Sequence, residues 1–129
     1  MIVKIENRYD SDTVVIQGDF PDFQTAIKTW VFNKVKFSDA DLEGLDFRGL
    51  QLHYADFSGS NLYAANFEGA NLFAVNFEGC NLECANFKNT NIEWANFKYS
   101  DMRSVDFEGA IFREDHFKIV RFVKDEVQS

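Results

Sequence analysis

Residues 55–99 read ADFSG SNLYA ANFEG ANLFA VNFEG CNLEC ANFKN TNIEW ANFKY: nine blocks of five, each with a small or aliphatic residue first, Asn or Asp second and an apolar residue third. The grammar extends outward in both directions, to VKFSD ADLEG LDFRG LQLHY before it and SDMRS VDFEG AIFRE DHFKI after it, seventeen blocks over residues 35–119. The third place is Leu, Ile, Met or Phe in all seventeen, and the second is Asn or Asp in thirteen. A period of five fits neither the 3.6 of a helix nor the 2.0 of a strand. Such a chain must bend at every block and turn the same two side chains, first and third, inward each time. A second period lies on the first: from Leu42 to Phe107 the third place alternates aliphatic and Phe without a miss. If four blocks close one coil, Phe47 stacks on Phe67, Phe87 and Phe107, and Leu42 on Leu62, Leu82 and Met102. Large and small layers then meet across the core, as close packing requires.

These blocks resemble the A-(D/N)-L-x-x consensus of pentapeptide-repeat proteins, and the resemblance covers residues 35–119. It implies an all-β fold, a right-handed quadrilateral parallel β-helix of about four coils, with a shaft of ~19 Å at ~4.8 Å per coil. Asn fills eight successive second places from Asn61 to Asn96, with Asp at Asp41, Asp46 and Asp56 before and Asp101 and Asp106 after. Stacked Asn predicts hydrogen-bonded ladders, whereas stacked Asp at about 5 Å would repel by roughly 1–3 kcal/mol per pair. The six coil glycines, Gly44, Gly49, Gly59, Gly69, Gly79 and Gly109, are expected at corners.

A solenoid must cover its ends. Residues 1–34 are expected to form an N-terminal cap, a hairpin over 2–17 followed by a helix in which Phe23, Ala26, Ile27, Trp30 and Val31 share a face. Pro21 fits the first turn of that helix, and Trp30 is expected to face the core. The segment Ile5–Tyr9 resembles the N-terminal cap of phage and bacterial pentapeptide-repeat proteins. At the other end the pattern decays through Phe112, Phe117, Ile119 and Phe122, leaving residues 120–129 as a tail. The resemblance suggests a homodimer through these C-terminal aromatics; a capping helix over 118–127 is the alternative.

With 129 residues and 46% apolar composition the chain should be one structural domain. No apolar run approaches a membrane span, no signal pattern opens the chain, and two cysteines are no disulfide framework, so a cytoplasmic protein is expected. A net charge of −8 argues against direct binding of nucleic acid or anionic lipid. Catalysis needs converging groups in a cleft, and a filled shaft has none. His53 and His116 read as surface residues, and Cys80 and Cys84 lack the partners of a metal site. Neither a cofactor nor an enzymatic activity is expected.

Function is then left to the outer surface, where two readings compete. Through the resemblance, the chain is similar to proteins thought to imitate DNA before gyrase or topoisomerase IV, with Asp41, Asp46, Asp56, Asp101 and Asp106 as candidate acids. The outward fourth places argue against it: Arg48, Glu68, Lys88 and Glu108 alternate in sign, suggesting a ladder of cross-strand pairs. Residues 35–119 do hold fourteen acids against seven bases. The ~19 Å shaft nonetheless covers little more than half of a ~34 Å DNA turn unless the chain dimerises end to end. The other reading starts from Tyr54, Phe73 and Trp94, with His53, which fall together on one wall; large aromatics exposed together are typical of protein-binding patches. Tyr63 and Tyr99 fall on other walls. A non-catalytic binding module with an aromatic wall is the leading expectation, a dimeric DNA mimic acting on a type II topoisomerase the second, and a structural spacer the third.

Overall fold

A computed structural model describes residues 1–112. Its elements are strand β1 (Ile2–Glu6), strand β2 (Val14–Asp19) and helix α1 (Phe23–Phe32), followed by the repeat region. In the repeats, isolated parallel bridges join residues twenty apart, from Asp41↔Asn61 through Asn91↔Ile111. Each turn of the solenoid therefore takes up four blocks. The backbone is satisfied by a fixed scheme: the third-place N–H donates to the second-place carbonyl of the next turn (Leu62 to Asn81, 2.8 Å), and the fifth-place N–H to the next fourth-place carbonyl (Ala64 to Glu83, 2.9 Å). Within a block, the N–H after the corner returns to the third-place carbonyl, as from Ala65 to Leu62 at 3.0 Å.

The third places fill the shaft as the alternation demands, with Phe47 through Phe87 and their aliphatic neighbours fully buried. Phe rings form two columns. Phe47 stacks on Phe67 at 4.8 Å and Phe67 on Phe87 at 5.0 Å; Phe57 stacks on Phe77 at 5.7 Å and Phe77 on Phe97 at 5.4 Å. Across the core the columns meet edge to face, as in Phe67–Phe77 at 5.6 Å. Both contacts suit the ring quadrupole. Where a first place is polar its hydroxyl or thiol turns to a carbonyl, Thr90 Oγ1 to Phe87 and Cys80 Sγ to Phe57. Among the described residues no buried side-chain nitrogen or oxygen is left without a partner.

The corner is built at the second and fifth places. Every fifth place from Asp39 to Gly109 has a left-handed φ, glycine or not. The second-place side chain supports the bend by accepting the N–H two residues on: Asn66 from Glu68 at 3.0 Å, Asn76 from Glu78 at 3.0 Å, Asp56 from Ser58 at 2.9 Å. This corrects the expectation of Asn ladders. An Asx turn uses the amide oxygen within its own block, and the described inter-turn amide bonds are few, among them Asn61 to Asp41 at 3.4 Å and Asn71 to Gln51 at 3.0 Å.

At the N-terminal end β1 and β2 pair antiparallel, with a register shift after Ile5, and the hairpin runs to Asp19 rather than the expected 17. Asn7 bridges Ala40 antiparallel, Asp41 N–H donates to Glu6 at 2.7 Å, and Arg8 reaches the Gly59 carbonyl at 2.9 Å, so β1 runs into the first edge of the solenoid and covers it. Helix α1 starts at Phe23, two residues past the proline expected in its first turn. Asp22, not Pro21, is the N-cap, its carboxylate taking the Thr25 N–H at 2.7 Å, and Pro21 stands before it. Trp30 is buried against Phe20 and Phe37, and Phe23 sits edge-on to Phe47.

Candidate functional wall

The twenty-residue register places Tyr54, Ala74 and Trp94 in successive turns, with Phe73 beside the gap. The Tyr54 N–H donates to the Phe73 carbonyl, and the Ala74 N–H to Glu93. The Tyr54 ring meets Phe73 edge to face at 5.6 Å, and His53 packs edge-on to Tyr54 at 5.9 Å. Tyr54 is 69% and Trp94 46% exposed, while Phe73 is half-buried. Both exposed rings sit on left-handed backbone, φ +65° at Tyr54 and +62° at Trp94. Tyr99 has the same backbone, φ +62°, and is also exposed.

The five candidate acids are all second-place corner residues. Each accepts the N–H two positions on, so each serves the bend before it serves any ligand. Three are also neutralised by a cation: Asp46 by Arg48 at 2.9 Å, Asp101 by Arg103 at 2.6 Å and Asp106 by Lys88 at 3.5 Å. The Arg48 and Arg103 hydrogen bonds hold Asp46 and Asp101 below the usual carboxylate range. The expected Arg48–Glu68–Lys88–Glu108 ladder gives way to these contacts: Arg48 turns to the second-place Asp46 of its own block, and Lys88 to the second-place Asp106 of the next turn. Arg103 does bridge turns, reaching Glu83 at 3.3 Å.

Burial raises the Cys80 thiol to about 12, and Cys84 is free and exposed. Among the described residues no group of His, Cys, Asp and Glu could hold a metal ion, and no helix is long and apolar enough to cross a membrane. Phe112 packs half-buried against the core; Phe117, Ile119 and Phe122, with His116 and the 120–129 tail, lie outside the described residues.

One feature of the surface escaped the sequence reading. A groove of about 810 Å³ opens between the end of α1 and the first turns, lined by Lys28, Phe32, Lys34, Lys36, His53 and Tyr54 among others. Three lysines within nine residues of an acidic chain were the available signal.

Taken together, these features define a parallel β-solenoid with a covered N-terminal edge. The chain belongs to the pentapeptide-repeat family: the family described as Pentapeptide repeats matches in eight copies, over residues 31–69 and 70–113. Its members form right-handed β-helix solenoids and are generally non-enzymatic structural or binding proteins. Similar solved structures include alr5209, a pentapeptide repeat protein from Nostoc PCC 7120, 25% identical, covering 69% of this chain and 74% of that one with a TM-score of 0.43. HetL, a pentapeptide repeat protein involved in heterocyst differentiation regulation in Nostoc sp. strain PCC 7120, is 30% identical, covering 55% and 35% of the two chains with a TM-score of 0.29. QnrB1, a plasmid-mediated fluoroquinolone resistance protein, is 15% identical, covering 68% and 45% with a TM-score of 0.39. The chain thus spans less than half of the latter two. Among curated protein sequences none matches.

Proposed function

We propose that this chain is a non-catalytic, cytoplasmic protein-binding module. Its quadrilateral β-helix of about four coils holds Tyr54, Phe73 and Trp94, with His53, as a rigid wall for a protein partner. The observation that carries this reading is the backbone at Tyr54 and Trp94. A left-handed φ costs a residue with a Cβ roughly 1–2 kcal/mol, and glycine occupies the same place at six other corners. Bulky aromatics there, both exposed, disfavour the fold and suit a contact surface in which Tyr and Trp are common anchors. A rigid wall also keeps the ordering cost of binding small. Two free thiols fit a reducing compartment.

The alternative of a DNA mimic acting on gyrase or topoisomerase IV needs acids free to stand in for phosphates. The ion pairs at Asp46, Asp101 and Asp106 weigh against it. A pull-down from bacterial lysate with wild type beside the Tyr54→Ala, Phe73→Ala, Trp94→Ala variant separates the two. A protein held by wild type and lost by the variant supports the aromatic wall. Topoisomerase subunits retained by both baits would replace it with DNA mimicry.

A further inference from the structure

Five of the nine cations among the described residues are held by a carboxylate or a carbonyl. Of the nine Lys and Arg in residues 1–112, Lys4, Arg48, Lys88 and Arg103 form ion pairs, and Arg8 is held by the Gly59 carbonyl. Lys28, Lys34, Lys36 and Lys98 form no ion pair among the described residues. Three of these four line the same groove, the one between the end of α1 and the first turns.

Among the described residues no ion pair accounts for that cluster, although, after the Thr25 hydrogen bonds, the Lys28 charge helps to hold Asp22 below its ordinary value. Three exposed ammoniums around one concavity repel one another. Lys34 moreover occupies the left-handed position after the helix, φ +61°, where Gly or Asn is favoured. The opposing charges are few. Asp56 is the acid that lines the groove, and its carboxylate is engaged by the Ser58 N–H. The C-terminal end of α1 contributes only about half a negative charge. With His53 neutral, the groove keeps an excess of two positive charges on a chain of net −8. Its floor is apolar, from Val31, Val35 and Ala55, and its rim carries the exposed rings of Phe32 and Tyr54.

We propose that this groove holds an acidic segment of the protein partner, carboxylates on Lys28, Lys34 and Lys36 and an apolar side chain on the Val31–Val35–Ala55 floor. A nucleic acid matches the lysines less well, because its continuous phosphates would run beyond the groove onto a chain of net charge −8, whereas a short peptide places a few charges and an apolar anchor together. The inference rests on the binding-module reading, since His53 and Tyr54 belong to both the groove and the wall.

The test titrates the capped peptide acetyl-DEDLWEED-amide, and its uncharged twin acetyl-NQNLWQQN-amide, into isotope-labelled protein followed by amide NMR. The acidic peptide should shift signals of residues 28–36 and 51–56, and added salt should reverse the shifts. Lys28→Gln with Lys34→Gln and Lys36→Gln should weaken binding by roughly 5- to 100-fold, whereas Lys98→Gln should change nothing. All four side chains are exposed, so the variants should keep the wild-type unfolding midpoint. Equal binding of the uncharged twin, shifts centred elsewhere, no shift at about 1 mM peptide, or unchanged affinity of the lysine variant would each overturn the proposal. Its failure is separable from failure of the wall. If the lysine variant captures the partner as wild type does and the aromatic variant does not, the groove falls and the wall stands; the reverse pattern removes the wall alone.

Discussion

Replacing Phe77 by alanine probes the aromatic columns at their middle. The ring lies between Phe57 at 5.7 Å and Phe97 at 5.4 Å, nearly parallel to both, and meets Phe67 and Phe87 edge-on at 5.6 Å each. It is fully buried. A buried Phe→Ala change costs about 3–5 kcal/mol where the surroundings cannot collapse, and four ring neighbours held by the turn-to-turn register leave little room to collapse. The value should therefore fall near the upper end, about 4–5 kcal/mol. Against a stability of roughly 6–19 kcal/mol for a chain of this size, the variant should still fold. With a urea m-value of ~2 kcal/mol/M, the midpoint should drop by about 2 M. Phe107→Ala is the comparison: that ring keeps a trace of exposure and, among the described contacts, meets Phe87 and Phe97. It should cost less, about 3 kcal/mol. Urea unfolding read by the buried Trp30 and by circular dichroism gives both numbers, and coincident transitions establish that one equilibrium is being measured. A Phe77→Ala cost below about 1.5 kcal/mol, or one equal to that of Phe107→Ala, would refute the picture of a column whose middle rings are held on all sides.

The Asx corner predicts that Asn91→Asp, whose bridge partners Asn71 and Ile111 carry no charge, is nearly neutral, because a carboxylate still accepts the Glu93 N–H, while Asn91→Ala costs ~1 kcal/mol; a ladder would instead make both changes costly, and urea unfolding distinguishes them. Native thiol titration with a disulfide reagent should find one fast equivalent at Cys84 and none at Cys80 until the chain unfolds, since Cys80 is buried with its thiol raised to about 12; two fast equivalents would contradict that burial. Asp22, Asp46 and Asp101 have folded pKa values below their ordinary 3.8. The stability they contribute is therefore present above that value and lost as pH falls through the folded values. The unfolding midpoint should hold between pH 7 and about 5 and decline below about 4, with a shallower decline in Asp46→Asn and Asp101→Asn, where the partner of Arg48 or Arg103 no longer titrates.

The period of five and the Leu–Phe alternation made the interior legible in advance, because an inward residue has one environment and a narrow choice of shapes. The stacking of Phe67 on Phe87 and the burial of Cys80 and Thr90 follow from their place in the block. The outer surface was less legible. Arg48 had an acid in its own block and another in the next turn by register alone, and side-chain geometry selected Asp46 over Glu68. The second-place Asn admitted both a ladder and a turn. The choice fell to the turn because the corner N–H needs an acceptor inside its own block.

The sequence by itself determined the solenoid, its twenty-residue turn and the membership of its core, since repetition leaves each block the same solution to the same burial problem. Which residues face one another across elements was decided only by the tertiary structure. Lys28, Lys34 and Lys36 belong to a helix and its exit, and His53 and Tyr54 to a corner some twenty residues later. Nothing periodic relates them. They share a groove because Trp30 and Phe23 bury α1 on the first Phe layer in one orientation, and that packing is a property of the assembled fold.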